Sequence, residues 1–336
     1  MKSDVWKNII DLFCEIKKIG NKLSLAAPLE FVTGNIIRRC LYHIRQICKK
    51  QNIMLPQSFD YKIQTKNEKG FNYPTSLNQI IDPKKIFEEE DLEIKPIQST
   101  IKPEIEIALS SQRKLHQYYL KNFIIELYNE IEGMREEIYS KAEKYIIPNE
   151  IIMTFYYSST ILSLFQQARK RGEFEVYVAE TAPSYSGHKT AQELIKAVIS
   201  TTIIPDTAIF AMMSRVHKVI VGTAAVMADG GLVNVAGAFP LALAAHLNSI
   251  PFIVCCGTFK LTPLYSFNGE THNELASPEY VLKDKSFQNI DSKIPVYEYV
   301  PPDLVKVLIT NEGELTPSYI YRLLSEMYSK EDYNLI

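Results

Sequence analysis

Phe174-Glu175-Val176-Tyr177-Val178-Ala179, Thr202-Ile203-Ile204, Lys218-Val219-Ile220-Val221 and Phe252-Ile253-Val254-Cys255 are four short apolar runs in the stretch from Glu173 to Cys256. Between them lie segments of helical length and pattern, Gly187–Ser200, Thr207–Arg215 and Asn234–Asn248. Strands separated by that much chain pair in parallel through crossovers, since a hairpin needs only a few intervening residues. The runs are near-continuous rather than alternating, as a sheet covered on both faces requires. This predicts a doubly wound α/β unit with its ligand crevice at the carboxyl ends of the strands.

Upstream, Glu150–Tyr156 reads as an opening strand and Ser159–Lys170 as its helix. Downstream, Pro295–Pro302 and Val305–Thr310 read as extended segments at the sheet edge. Thr316-Pro317 then starts a helix whose apolar face is Ile320, Leu323, Leu324 and Met327. The N-terminal part reads as helical. Ser3 suits an N-cap, with Val5, Ile9, Leu12, Phe13 and Ile16 at helical spacing before Gly20 ends the helix. A second helix spans Pro28–Lys49, with Arg38, Arg39 and Arg45 off its apolar stripe. They read as a solvated face that an acidic partner can use. Periodicity fails over 51–103, which carries five prolines and the patch Glu88-Glu89-Glu90-Asp91, so it reads as a partly disordered insertion. A long helix follows to Ile146, and its seam Leu120, Ile124, Leu127, Ile131, Met134, Ile138 packs on the first two helices. Pro148 closes this region. The expected division is therefore 1–148 helical and 149–336 Rossmann-like α/β.

The 336 residues carry 37 Lys plus Arg against 39 Asp plus Glu, a net charge of −2, so no basic field of the nucleic-acid-binding kind exists. Cys14, Cys40, Cys48, Cys255 and Cys256 form neither a CxxC pair nor a disulfide framework, and six scattered histidines offer no metal spacing. With no signal pattern and no spanning apolar run, the expectation is a cytosolic protein with no cofactor and no membrane contact.

No phosphate loop, GxGxxG, GxSxG or HExxH occurs. Gly187, at a helix start, suits an anion and equally suits a capping turn. Asp206 reads as a cap rather than an acid. The glycines of Asp229-Gly230-Gly231 fit a turn needing positive φ. His188 is a base or pH switch by residue type, but without a sequence partner it reads as a packed or interface residue.

The segments Val176–His188, Ala208–Thr223, Pro240–His246, Tyr299–Leu304 and Thr316–Tyr328, with Thr33–Leu41, resemble the alpha/beta/delta subunit family of eukaryotic translation initiation factor 2B, its beta-type members most. The resemblance covers most of the chain outside 51–103 and 265–294. It implies a regulatory, non-catalytic subunit of the guanine nucleotide exchange factor for initiation factor 2. The implied partners are a delta-type subunit directly, then gamma, epsilon and alpha subunits, and the alpha subunit of initiation factor 2, whose phosphorylation is sensed. It places His188, Tyr185 and Met213 at the subunit interface, and directs Arg38, Arg39 and Arg45 toward initiation factor 2.

The same fold serves methylthioribose-1-phosphate and ribose-1,5-bisphosphate isomerases, which supplies the alternative: a sugar-phosphate isomerase or sensor. The resemblance registers Tyr156 at their catalytic cysteine, Ala182 at an arginine, Ala224 at the catalytic aspartate and Val235 at a lysine. Losing both cations removes charge-assisted phosphate contacts worth about 1.5–3 kcal/mol each. The implied isomerase site is degenerate.

Overall fold

The computed structural model describes residues 9–51, 53, 55, 103–266, 273–282, 290–333 and 335. Ser3 and nearly all of the 51–103 insertion lie outside the described residues. Three helices come first: α1 (Ile9–Ala26), α2 (Phe31–Lys50) and α3 (Pro103–Ala142). The α/β order follows as β1 (Ile151–Thr154), α4 (Ser159–Arg169), β2 (Glu175–Ala179), α5 (Ser186–Lys196), β3 (Ser200–Ile204), α6 (Ile209–Met213) and β4 (Lys218–Val221). Then come β5 (Ala225–Val226), β6 (Leu232–Val235), α7 (Ala238–Leu247), β7 (Phe252–Cys255), β8 (Tyr297–Val300), β9 (Val307–Ile309), β10 (Glu314–Leu315) and α8 (Ile320–Met327).

The main sheet has the order β10-β9-β7-β4-β1-β2-β3, parallel throughout except for the β9–β10 pair. The chain starts at β1, builds β2 and β3 on one side, then crosses to β4, β7 and β9 on the other. That reversal between β1 and β4 is the switch point of a doubly wound sheet. Burial follows the pleat. Met153, Tyr177, Val219, Val221 and Val254 face a core shared with α6, α7 and α8. Ile152, Val176, Val178, Ile220 and Ile253 face the opposite core, under α4 and α5.

Three expectations change. The helix α1 runs on through Gly20, where a Cβ would lie 2.5 Å from a methyl of Ile37; the glycine lets α2 close in rather than ending the helix. The segment Pro295–Pro302 does not join the main sheet: β8 pairs with β6 in a three-stranded antiparallel sheet, β5-β6-β8. And the packing crosses the division at 148. Met134, Ile138 and Ala142 of α3 lie in the core under the main sheet, while Leu120 joins α1 and α2. Ile124 of the expected seam is exposed.

Candidate functional site

The crevice at the switch point is walled by the segments that leave β1, β2, β3, β4 and β6. After β1 comes Tyr156, in the left-handed region at φ 47°. Its N–H donates to Thr181 Oγ1 (3.1 Å) and its carbonyl accepts from Thr190 Oγ1 (3.0 Å). A non-glycine residue held there is strained, and such strain collects at functional sites. The ring reaches across to β4: a Cβ added at Gly222 would sit 2.9 Å from the Tyr156 hydroxyl. Burial pushes that phenol well above its ordinary range, with Tyr297 and Cys256 adding to it. At this position the side chain is a neutral phenol lying against Gly222 at the end of β4.

Asp206 reaches from the end of β3 to the turn after β2, accepting from the N–H groups of Thr181 (2.9 Å) and Ala182 (2.6 Å). Its role is to tie this turn, rather than to cap its own helix or to act as a free acid. The Gly187 N–H is also taken, donating to Glu180 O (3.2 Å), and a Cβ there would lie 2.0 Å from Ala179 O. That glycine serves a close approach of α5 to β2, and it offers no free amide to an anion. The start of α7 is occupied too. The Glu298 carboxylate of β8 accepts from Phe239 N–H, and the amides of Gly237 and Ala238 also bond it. Burial raises the Glu298 pKa against those amides, which pull it down.

Ala182 is exposed on the rim, while Ala224 donates its N–H to Val233 O (3.1 Å) and Val235 sits in β6 opposite Tyr297. Asn234 donates Nδ2 to Gly222 O (2.9 Å) and accepts from Val235 N–H, so it knits β6 to the end of β4. One cation escaped the sequence reading. Lys260, in a short 3-10 turn after β7, donates Nζ to Thr223 O (2.6 Å), and burial lowers its pKa. Its only signal was a lone lysine between Cys256 and Pro263. The Cys256 thiol beside it is pushed up to about 12 by burial, so it supplies no thiolate near neutrality. Of the Asp229 turn, only Gly230 has positive φ (83°); Gly231 is small because the Tyr299 ring lies against it.

The residues expected at an interface part company. Tyr185 and His188 are exposed at the start of α5, their rings 5.5 Å apart edge to face, with Glu180 Oε2 4.0 Å from His188 Nε2. Met213, by contrast, is 0% exposed within the core. On that short helix the outward residue is Phe210, 60% exposed. Ile195 of α5, Val198 just after it, Ile203 on the edge strand β3, and Leu243 and Leu247 of α7 are exposed as well, and α7 packs against α6.

The three arginines form no free basic face. Arg39 makes a two-pronged pair with Glu130 of α3 (3.1 and 2.9 Å). Arg38 and Arg45 are buried, and their partners follow α8: Arg38 Nε donates to Tyr333 O, and Arg45 pairs with Asp332. Contrary to the reading, Arg38 and Arg45 stand on the buried face of α2 with Phe31, Leu41 and Cys48, where the chain's own carboxylates and carbonyls answer them. A cleft of about 230 Å³ beside them is lined by Arg39, Tyr42, His43, Gln46, Phe123, Glu326 and Met327, away from the strand ends. Among the described residues there is no cluster fit to hold a metal ion and no helix long and apolar enough to cross a membrane.

The model of the Initiation factor 2 subunit family matches residues 1–317. The chain is 40% identical to translation initiation factor eIF2B subunit beta of Dictyostelium discoideum, over 97% of this chain and 87% of that one. It is 31% identical to ribose 1,5-bisphosphate isomerase of Archaeoglobus fulgidus, over 60% of this chain and 65% of that one. Among solved structures, a chain of the tetrameric eIF2B-beta2-delta2 complex from C. thermophilum is similar at a TM-score of 0.63 and 26% identity, covering 96% of this chain and 83% of that one.

Proposed function

This chain belongs to the Initiation factor 2 subunit family, and from that premise we propose that it is a beta-type regulatory subunit of the exchange factor eIF2B, without catalytic chemistry of its own. The observation that carries the reading is a contrast on one sheet. At the strand ends Tyr156 lies against Gly222, and Asp206 and Glu298 bond backbone amides, while apolar side chains stand exposed on α5, β3, α6 and α7. Self-satisfied polar groups leave a ligand little to bond, and large apolar side chains exposed at the edge strand and its flanking helices favour contact with another protein. A delta-type subunit is the direct partner of that surface, with gamma, epsilon and alpha subunits completing the assembly in the cytosol. The relative's beta2-delta2 tetramer supports this choice.

The helical side contacts the alpha subunit of initiation factor 2 and discriminates its phosphorylated form. Arg38 and Arg45 do not serve there, because they are spent internally. The test is the native mass of the assembly with its subunits identified. Recovery bound to a delta-type subunit supports the proposal, and a stable monomer in the presence of that subunit removes it.

A second reading, a sugar-phosphate isomerase or sensor, is favoured by the archaeal isomerase likeness and by Lys260 in the crevice wall. A thermal-shift series with ribose phosphates separates the two, since a ligand that binds only the folded state raises its melting temperature.

A further inference from the structure

We propose that the segment after α8 is a latch holding α1 and the far half of α2 against the α/β body, and that it closes on Arg45. The Arg45 guanidinium donates Nε to Asp332 Oδ2 (2.6 Å) and NH2 to Oδ1 (2.8 Å), with Glu331 also paired to it. Arg45 is 8% exposed and Asp332 0%. Its guanidinium lies 4.9 Å over the Phe13 ring of α1, so the same group touches both helices and the latch. Two turns away, Arg38 Nε donates to Tyr333 O (3.1 Å). Leu335 then inserts into the cluster of Ile9, Leu12, Phe13, Leu41 and Ile44. The helix pair does not complete its own core; Leu120 of α3 and Leu335, from far along the chain, close it.

The opposite end of α2 is anchored separately. Asn35 Nδ2 donates to Phe259 O (3.0 Å), and Phe31 packs with Ala225, Met227 and Val233. The helix is therefore attached to the α/β body at one end and to the latch at the other. Arg39–Glu130 and His43–Phe123 tie its middle to α3, and the latch end is the one that also carries α1 through Phe13. A guanidinium stays charged at any working pH, and a buried charge that loses its partner is left without compensation. Removing the Asp332 charge takes away the buried, two-pronged half of the pairing and leaves Arg45 with the half-exposed Glu331, which loosens the fastening while the Asn35 and Phe31 anchor stays in place. The product is a hinged helix pair on an intact α/β body.

Hydrogen exchange on the full chain tests this. Asp332→Asn is expected to speed exchange about 100-fold across α1 and residues 41–50 while β1, β2 and β4 keep wild-type protection. Arg45→Met combined with Asp332→Leu removes both charges and keeps apolar volume, and it is expected to restore protection to within about 3-fold of wild type. Leu335→Ala, which leaves the ion pair alone, is expected to speed the same segments about 10-fold. Exchange in α1 unchanged by both single variants overturns the latch. So does equal acceleration in the sheet, which reports global unfolding, and so does failure of the double variant to restore protection.

Discussion

The inner crevice and the outer edge of one sheet have opposite economies. At the crevice every identified polar group is answered from within the chain: Thr181 and Ala182 by Asp206, the start of α7 by Glu298, Gly222 O by Asn234, Thr223 O by Lys260. At the edge and its flanking helices, Ile195, Val198, Ile203, Phe210 and Leu243 stand exposed among the described residues. Function is read from how a fold's bonding groups are met or left unmet, and not from the fold itself.

The largest effect expected from this contrast is at the edge. Phe210→Asp places a charge at the most outward apolar side chain of α6 and touches no core cluster. It is expected to weaken assembly with a delta-type subunit by about 1000-fold, because an unpaired carboxylate at an interface centre is left desolvated. Analytical ultracentrifugation of the mixed subunits reads this directly, with the variant's own melting temperature held within a few degrees. Wild-type affinity in the variant would break the comparison on its outer side.

Next come two substitutions on the inner side, where stability rather than assembly should respond. Gly187→Ala drives a Cβ to 2.0 Å from the backbone oxygen of Ala179, and strand β2 cannot yield without shifting its neighbours. A loss of about 3 kcal/mol in urea unfolding is expected. Asp206→Ala removes the acceptor for two backbone N–H groups, with a loss of about 2 kcal/mol. If either variant instead abolished assembly at unchanged stability, the crevice would be part of the interface and the two regions would be one.

Much of this architecture was legible in the chain because it rests on local pattern. Unbroken runs such as Lys218–Val221 mark strands buried on both faces, and their spacing compels crossovers. What stayed hidden depends on partners far away in sequence. Arg45 looked solvated because Asp332 is 287 residues distant. Val296–Val300 looked like a main-sheet edge because its true neighbour, β6, was read as part of a turn and a helix start. Within the site, Tyr156, Ala182, Ala224 and Val235 were found at the crevice rim or wall by register, yet nothing in the sequence said that the Tyr156 ring lies across to Gly222. Phe210 and Met213 differ only by which way a five-residue helix turns, and so short an apolar segment does not fix its own phase.

The smallest expected effect concerns Glu298 and sharpens the inner side alone. Its carboxyl titrates above the ordinary 4.5 because burial penalises the charge more than the α7 amides favour it. A carboxyl raised in this way takes up its proton in the folded state before the unfolded chain does, so wild-type folding gains stability as pH falls through the window just above 4.5. Glu298→Gln has no proton to gain there. The stability of wild type relative to this variant should therefore rise as pH falls from 7 toward 4.5, measured by paired denaturant melts in one buffer series. A difference that shrinks over that window would mean the charged form is the favoured one, held by the amides as a ligand's anion would be, and the crevice would then be built for negative charge rather than closed to it.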